Sequence, residues 1–193
     1  MANRVSARER LLTAASGLFY ERGISATGID TVIAQAGVAK MSLYNNFASK
    51  AELVEAYVET RTDAWRARLG MRLAAVRTPA ERILAVFDSY ADYADGRDAV
   101  FRGCGLLNAA AELAADDPAR MRVAAQKTEV AALFAAQLRD IGALPDDLVE
   151  ETAEHLSFLL EGAMARAGLE GSGARLASAR RIAASLLKRL PAA

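Results

Sequence analysis

Cysteine and histidine are almost missing: the 193 residues hold one of each. A single cysteine excludes an internal disulfide, and one Cys with one His excludes a structural zinc site. Aromatic residues make up only 6% of the chain and β-branched residues are sparse, which argues against a sheet. Long apolar runs are absent as well. The longest stretch without Asp, Glu, Lys or Arg is Leu11–Tyr20, ten residues, against the ~20 that a membrane helix needs. The first ten residues carry Arg4, Arg8, Glu9 and Arg10 where a signal peptide would need an apolar core. A soluble, cytoplasmic protein with no membrane partner is expected.

Alanine fills the space these absences leave. It accounts for 44 of the residues, so less of the 53% hydrophobic fraction is large side chains than the total suggests. Alanine is the best helix former, and the length suits one domain or one plus a small appendage. The composition reads as all-α. The formal net charge is zero, but it is unevenly spread. Residues 1–50 hold six basic side chains (Arg4, Arg8, Arg10, Arg22, Lys40, Lys50) and three acidic ones (Glu9, Glu21, Asp30), net +3. The remainder is net −3, so any electrostatic attraction to nucleic acid is confined to one end.

Ser6-Ala-Arg-Glu9 reads as a capping box that opens a helix carrying Leu11, Leu12, Ala15, Leu18 and Phe19, stopped by Gly23. Thr27-Gly-Ile-Asp30 offers the N-cap of a second, with Ile29, Val32, Ile33 and Ala36 on one stripe before Gly37. A short third helix is expected over Lys40–Phe47, and a long one begins at Ser49. Thr78-Pro79 opens the next, which Gly96 ends. Gly103–Glu112 reads as a short, nearly uncharged helix, and Asp117-Pro118 caps a long one to about Ile141. Pro145-Asp-Asp opens another to about Ala167, and the last follows Ser172 or Gly173. That makes about nine helices and no repeat.

Chemistry concentrates in Ile29–Lys50. Two short helices joined at Gly37-Val38-Ala39 have the length and glycine placement of a helix-turn-helix. Val32, Ile33, Val38, Leu43 and Phe47, with Leu18 and Phe19, would fix the corner. Lys40, Met41, Ser42, Tyr44, Asn45 and Asn46 would then form an exposed face free of acid. The N-terminal end of such a second helix addresses base edges in the major groove. Thr27 and Lys50 bracket the motif and are placed for phosphates. A nucleophile–base pair, a Gly-rich phosphate loop and a metal-ligand cluster are all missing from the sequence, so catalysis is not expected.

Arg10–Val54, RLLTAASGLFYERGISATGIDTVIAQAGVAKMSLYNNFASKAELV, resembles the N-terminal domain of the TetR family of bacterial transcriptional regulators. The resemblance lies in Phe19 followed by Gly23, Thr27, Ala36-Gly37-Val38, Leu43-Tyr44, Phe47, and Ser49-Lys50 before Leu53. It implies a three-helix DNA-binding domain over 1–50 and a helical ligand-binding and dimerisation domain over 51–193. It also implies a homodimer that binds a pseudo-palindromic operator and releases it when a small molecule binds, most often as a repressor. Carried over by position, Lys40, Met41 and Ser42 read bases, and Tyr44 and Lys50 hold phosphates, while Asn45 and Asn46 serve in either role. Asp30 departs from the family, which is often basic there. It caps the second helix or accepts from a cytosine amino group, the cap being favoured.

The effector itself is unidentified, and no cofactor is expected. Wall residues for its pocket are sought among Trp65, Phe87, Tyr90, Phe101, Cys104, Asn108, Phe134, His155 and Phe158. Asn108 and His155 are the informative ones, since a polar group facing an apolar interior must find a partner. The last two helices would form the dimer seam, with Leu148, Leu156, Leu159, Leu160, Ala163, Ile182, Leu186 and Leu187 as its stripe. Two alternatives stand beside this reading: a redox-sensing regulator acting through Cys104, and a helical interaction module without DNA binding.

Overall fold

A computed structural model describes residues 5–95, 101–142 and 144–191 of the protein. These hold nine helices and no strand: α1 (Ala7–Arg22), α2 (Ile29–Ala36), α3 (Lys40–Tyr44), α4 (Lys50–Ala74), α5 (Pro79–Asp95), α6 (Gly105–Ala111), α7 (Pro118–Ile141), α8 (Asp146–Glu170) and α9 (Ala174–Leu187). The helix starts follow local chemistry. Ser6 and Glu9 form the capping box, with the Ser6 hydroxyl accepting from the Glu9 amide at 3.1 Å and the Glu9 carboxylate accepting from the Ser6 amide at 2.8 Å. The same reciprocal pair recurs at α5, where Glu81 accepts from the Thr78 amide and Thr78 from the Glu81 amide. Glu9 and Glu81 are both held below the usual carboxylate value, chiefly by those backbone hydrogen bonds. Asp117 accepts from the Ala119 amide at 2.8 Å at the start of α7.

Three boundaries differ from the pattern reading. Helix α3 stops at Tyr44, because Asn46 and Phe47 both turn their amides onto the Leu43 carbonyl and tighten the end. Helix α6 begins at Gly105, two residues late, and α8 runs on to Glu170 before Gly171 ends it. The stop expected at Gly96 lies outside the described residues.

Packing divides the chain into two compact units, 1–62 with 105–123 and 63–104 with 124–193. The division differs from a single boundary at residue 50, because α6 and the start of α7 pack with the N-terminal helices. In the first unit α1, α2 and α3 close on Leu11, Leu18, Phe19, Val32, Leu43, Phe47 and Leu53, all buried. The Phe19 and Tyr57 rings meet edge-on, 5.5 Å between centroids. In the second unit, Trp65, Ile83, Phe87, Tyr90, Phe134, Leu138, Leu156, Leu160 and Met164 form one core, with α9 packed on α5 and α8. None of the described helices is long and apolar enough to cross a membrane.

Phe134 has no exposed surface and lies against Phe87, 5.8 Å between centroids. Phe134→Ala is expected to destabilise the second unit by about 3–5 kcal/mol, read as a lowered urea midpoint in chemical denaturation.

Candidate DNA-binding face and effector domain

The corner between α2 and α3 is made by Gly37, whose φ of 61° is left-handed backbone that a side chain disfavours. Its amide and that of Val38 return to carbonyls at the end of α2, which closes the helix. Arg10 on α1 donates to the Gly37 carbonyl at 3.1 Å, and the Arg8 guanidinium covers the Phe47 ring at 5.0 Å. With Val32, Leu43 and Phe47 buried beneath, the corner presents one outward face on α3.

Four of the expected residues share that face. Lys40, Met41, Tyr44 and Asn45 are exposed, Met41 at 67% and Tyr44 at 48%. Ser42 and Asn46 are half-buried, with the Asn46 amide donating to the Ser42 carbonyl at 2.7 Å.

Two expectations need correction. Thr27 neither caps α2 nor faces outward. It is 1% exposed, its hydroxyl donates to the Gly23 carbonyl at 2.7 Å, and Gly28 is the N-cap. Asp30 does not cap α2 either; it pairs with Lys40 across the corner at 3.1 Å. Lys40 is accordingly held above its ordinary value by the hydrogen bond and the charge of Asp30. Lys50 is half-buried and donates to the Ile24 carbonyl at 2.7 Å, so part of its hydrogen-bonding capacity is used inside the protein.

In the second unit Trp65, Phe87, Tyr90, Phe101 and Phe134 are buried, and Cys104 is half-buried. Asn108 is half-buried on α6 and belongs to the first unit. His155 and Phe158 are not wall residues of this interior. On α8 the buried stripe is Thr152, Leu156, Leu160 and Met164, which turns His155 and Phe158 outward, Phe158 at 64%. Leu156 and Leu160, expected in a dimer seam, likewise lie wholly within their own unit.

A buried polar cluster sits in this core. The Tyr90 hydroxyl accepts from the Gln126 amide at 3.3 Å and from the Lys127 ammonium at 3.4 Å. Lys127 also pairs with Glu161 at 2.8 Å and lies 3.7 Å from the Cys104 sulfur. Burial pushes the Tyr90 phenol up to about 12, against the opposing pull of the Lys127 charge. Lys127 stays above its ordinary value: burial lowers it, but Cys104, Tyr90 and Glu161 together outweigh burial. Among the described residues, Gln126 Oε1, Glu161 Oε2 and Trp65 Nε1 are buried without a hydrogen-bond partner. Such atoms are costly unless something else satisfies them. The sequence reading missed Gln126, Lys127 and Glu161. A signal existed, since Gln126 and Lys127 fall within the Val123, Val130, Phe134 spacing of the buried α7 stripe.

A helix-turn-helix with an open face on its second helix, in a chain that also holds a separate helical core, is the arrangement of a DNA-binding regulator. Residues 11–57 match the bacterial regulatory proteins of the tetR family, and residues 79–183 match the tetracyclin repressor-like C-terminal domain. The chain belongs to the TetR family of DNA-binding transcriptional regulators. It is 29% identical to a TetR-family transcriptional regulator from Streptomyces coelicolor over 92% of this chain and 96% of that one, with a TM-score of 0.79. A TetR-type regulator from Streptomyces avermitilis is 34% identical, covering 92% and 98%, with a TM-score of 0.74. The transcriptional activator FasR of Mycolicibacterium smegmatis is 34% identical over 45% of this chain and 39% of its own length. The repressor KstR2 of Mycobacterium tuberculosis is 35% identical over 42% and 41%. The matched region thus spans about two fifths of the length of these curated relatives.

The buried phenol gives a titration test. Folding raises the Tyr90 value above its unfolded value of about 10, so its contribution to stability is whole below that pH. It is lost as pH climbs through about 12. In an ultraviolet titration Tyr90 is expected to ionise above the unfolded reference, near pH 12. Lys127→Met should delay it further, because the ammonium favours tyrosinate; an earlier ionisation would contradict the assignment.

Proposed function

We propose that this protein is a cytoplasmic, ligand-responsive repressor that holds a pseudo-palindromic operator as a homodimer and leaves it when a small molecule binds. The observation that carries the reading is the open α3 face, with Lys40, Met41, Tyr44 and Asn45 turned outward over a corner fixed from beneath. Lys40 and Tyr44 supply a cation and a hydroxyl for backbone or base edge, Met41 an apolar patch for a thymine methyl, and Asn45 a paired donor and acceptor. Ser42 and Asn46 sit at the margin of the contact, and Lys50 reaches a phosphate with the donors that Ile24 leaves over. KstR2 is a repressor and FasR an activator, and the family's usual repression supports the first sense.

Effector binding is assigned to the second unit. Gln126 Oε1 and Glu161 Oε2 offer acceptors and Trp65 Nε1 a donor, beside the rings of Trp65 and Tyr90, 6.2 Å apart. A largely apolar molecule with one polar end that donates hydrogen bonds suits this set. The Lys127 charge beside Cys104 is already shared with Glu161, which favours effector binding over a redox role for the thiol. The dimer is assigned to the outer faces of α8 and α9. There Phe158 and Ile182 stand 64% and 54% exposed, flanking a shallow apolar groove with Leu159, Gly162 and Ala163. Two heads held in this way would meet half-sites about one DNA turn apart.

Operator binding is testable with the promoter fragment of the protein's own gene. Lys40→Ala with Tyr44→Ala should abolish retardation, and the lysine change alone should reduce the salt slope by about two, one for each protomer. Asp30→Asn frees Lys40 and is expected to strengthen binding several-fold at low salt; weakened binding would instead assign Asp30 to a base contact. Phe158→Glu with Ile182→Glu should convert the dimer to a monomer in sedimentation, whereas an unchanged mass would place the seam elsewhere.

A further inference from the structure

The loop between α1 and α2 is gripped by a residue from far along the chain. Both carboxylate oxygens of Glu112 accept backbone amides there, Ile24 at 3.0 Å and Ser25 at 2.8 Å. These amides lie just past the C-terminal end of α1, and charge-assisted bonds to a carboxylate are the strong kind. The next carbonyl group is taken as well, since Ile24 accepts from the Lys50 ammonium at 2.7 Å. Thr27 closes the loop from inside through its hydroxyl on the Gly23 carbonyl. Gly23 makes room for the clasp. A Cβ built on it would stand 2.8 Å from Glu112 Oε1, and its φ of 92° disfavours any side chain besides.

Glu112 is itself held in place. It follows the last residue of α6, and Arg120 donates to the Ala110 carbonyl at 2.9 Å and the Leu113 carbonyl at 3.2 Å, fixing that helix end. At the other end of α6, a Cβ on Gly105 would collide with the Arg61 guanidinium at 2.5 Å, so glycine allows the helix to lie close. Arg61 in turn covers the Tyr20 ring at 4.8 Å. Arg122 pairs with Glu55 at 3.5 Å, tying the start of α7 to α4. All of these groups belong to the first unit.

From this geometry we infer that Glu112 is a positioning residue for DNA binding. It fixes the Gly23–Thr27 loop, hence the point at which α2 begins and the presentation of the α2–α3 corner. The consequence is that the reading head is completed by a residue from the region matching the family's C-terminal domain. A free-standing N-terminal segment would lack this part of its own fold. Side-chain length and charge both matter: glutamate spans the gap and accepts twice, aspartate is one methylene shorter, and glutamine turns one end of the side chain into a donor facing an N–H.

The test compares the unaltered full chain with Glu112→Asp, Glu112→Gln and Glu112→Ala on a duplex that the unaltered protein selects from random DNA. Glu112→Gln should lose at least tenfold in affinity, about 1.4 kcal/mol, with Glu112→Asp losing less. Hydrogen exchange at the Ile24 and Ser25 amides, measured without DNA, should quicken in each variant while the α8 amides keep their protection. Formate should restore part of the affinity of Glu112→Ala relative to chloride at equal ionic strength, which a purely packing role would not allow. Unchanged affinity in Glu112→Gln would overturn the inference, as would lost affinity with unchanged exchange at Ile24 and Ser25. Should Glu112→Ala fail to fold, Glu112→Asp carries the same comparison, because it keeps the charge and loses only reach.

Discussion

A helix of five residues cannot hold itself together in water, because nucleation costs more than so few hydrogen bonds return. Helix α3 exists because Leu43 and Phe47 are driven into the core it shares with α1 and α2, each with almost no exposed surface. The rest of the DNA-binding end depends on that burial. Gly37 supplies the sharp turn, Arg10 ties the turn back to α1, and Arg8 shields the Phe47 ring from above. The outward side chains of α3 are therefore positioned by what lies under them. Tyr44 contributes little to holding the helix, and Lys40 is tied only to the exposed carboxylate of Asp30.

Charge is organised differently in the two units. Beside the α3 face the Lys40–Asp30 pair is open to water, at 61% and 83% of the side chains. Such pairs add little stability and yield to a better partner such as a phosphate. In the second unit Lys127 and Glu161 are taken largely out of water, at 20% and 27%. Burial of a pair costs much of what the attraction returns, so it is poor evidence for stability and better evidence for specificity. The Tyr90 hydroxyl and the unpartnered Gln126 oxygen extend the same polar cluster into an apolar core. Two kinds of site follow from two dielectric environments within one chain.

Most helices were legible because their signals are local. Ser6 with Glu9, Thr78 with Glu81, and Asp117 with Ala119 each act over two or three residues, and apolar spacing marks the core face. The open face of α3 was legible for the same reason, once Leu43 and Phe47 were taken as its buried side. Thr27 and Asp30 were misread because a hydroxyl or carboxylate near a helix start suits a cap equally well in sequence. Only the fold offers Thr27 a carbonyl inside and Asp30 a lysine across the corner. His155 and Phe158 were misplaced because α8 has apolar residues on more than one side, so periodicity does not choose its inward face.

The sequence alone determined an all-helical chain, a helix-turn-helix near its start and the outward placement of Lys40, Met41, Tyr44 and Asn45. Alanine content, caps and spacing act within a few residues, where chain connectivity guarantees proximity. Tertiary structure decided what required distant residues to meet. It set Glu112 on the amides of Ile24 and Ser25, and it gathered Tyr90, Gln126, Lys127, Glu161 and Cys104 into one cluster. It also drew α6 into the compact unit of the N-terminal helices. Those pairings are chosen by shape and by the need to satisfy buried polar groups, and neither is written in the order of the residues.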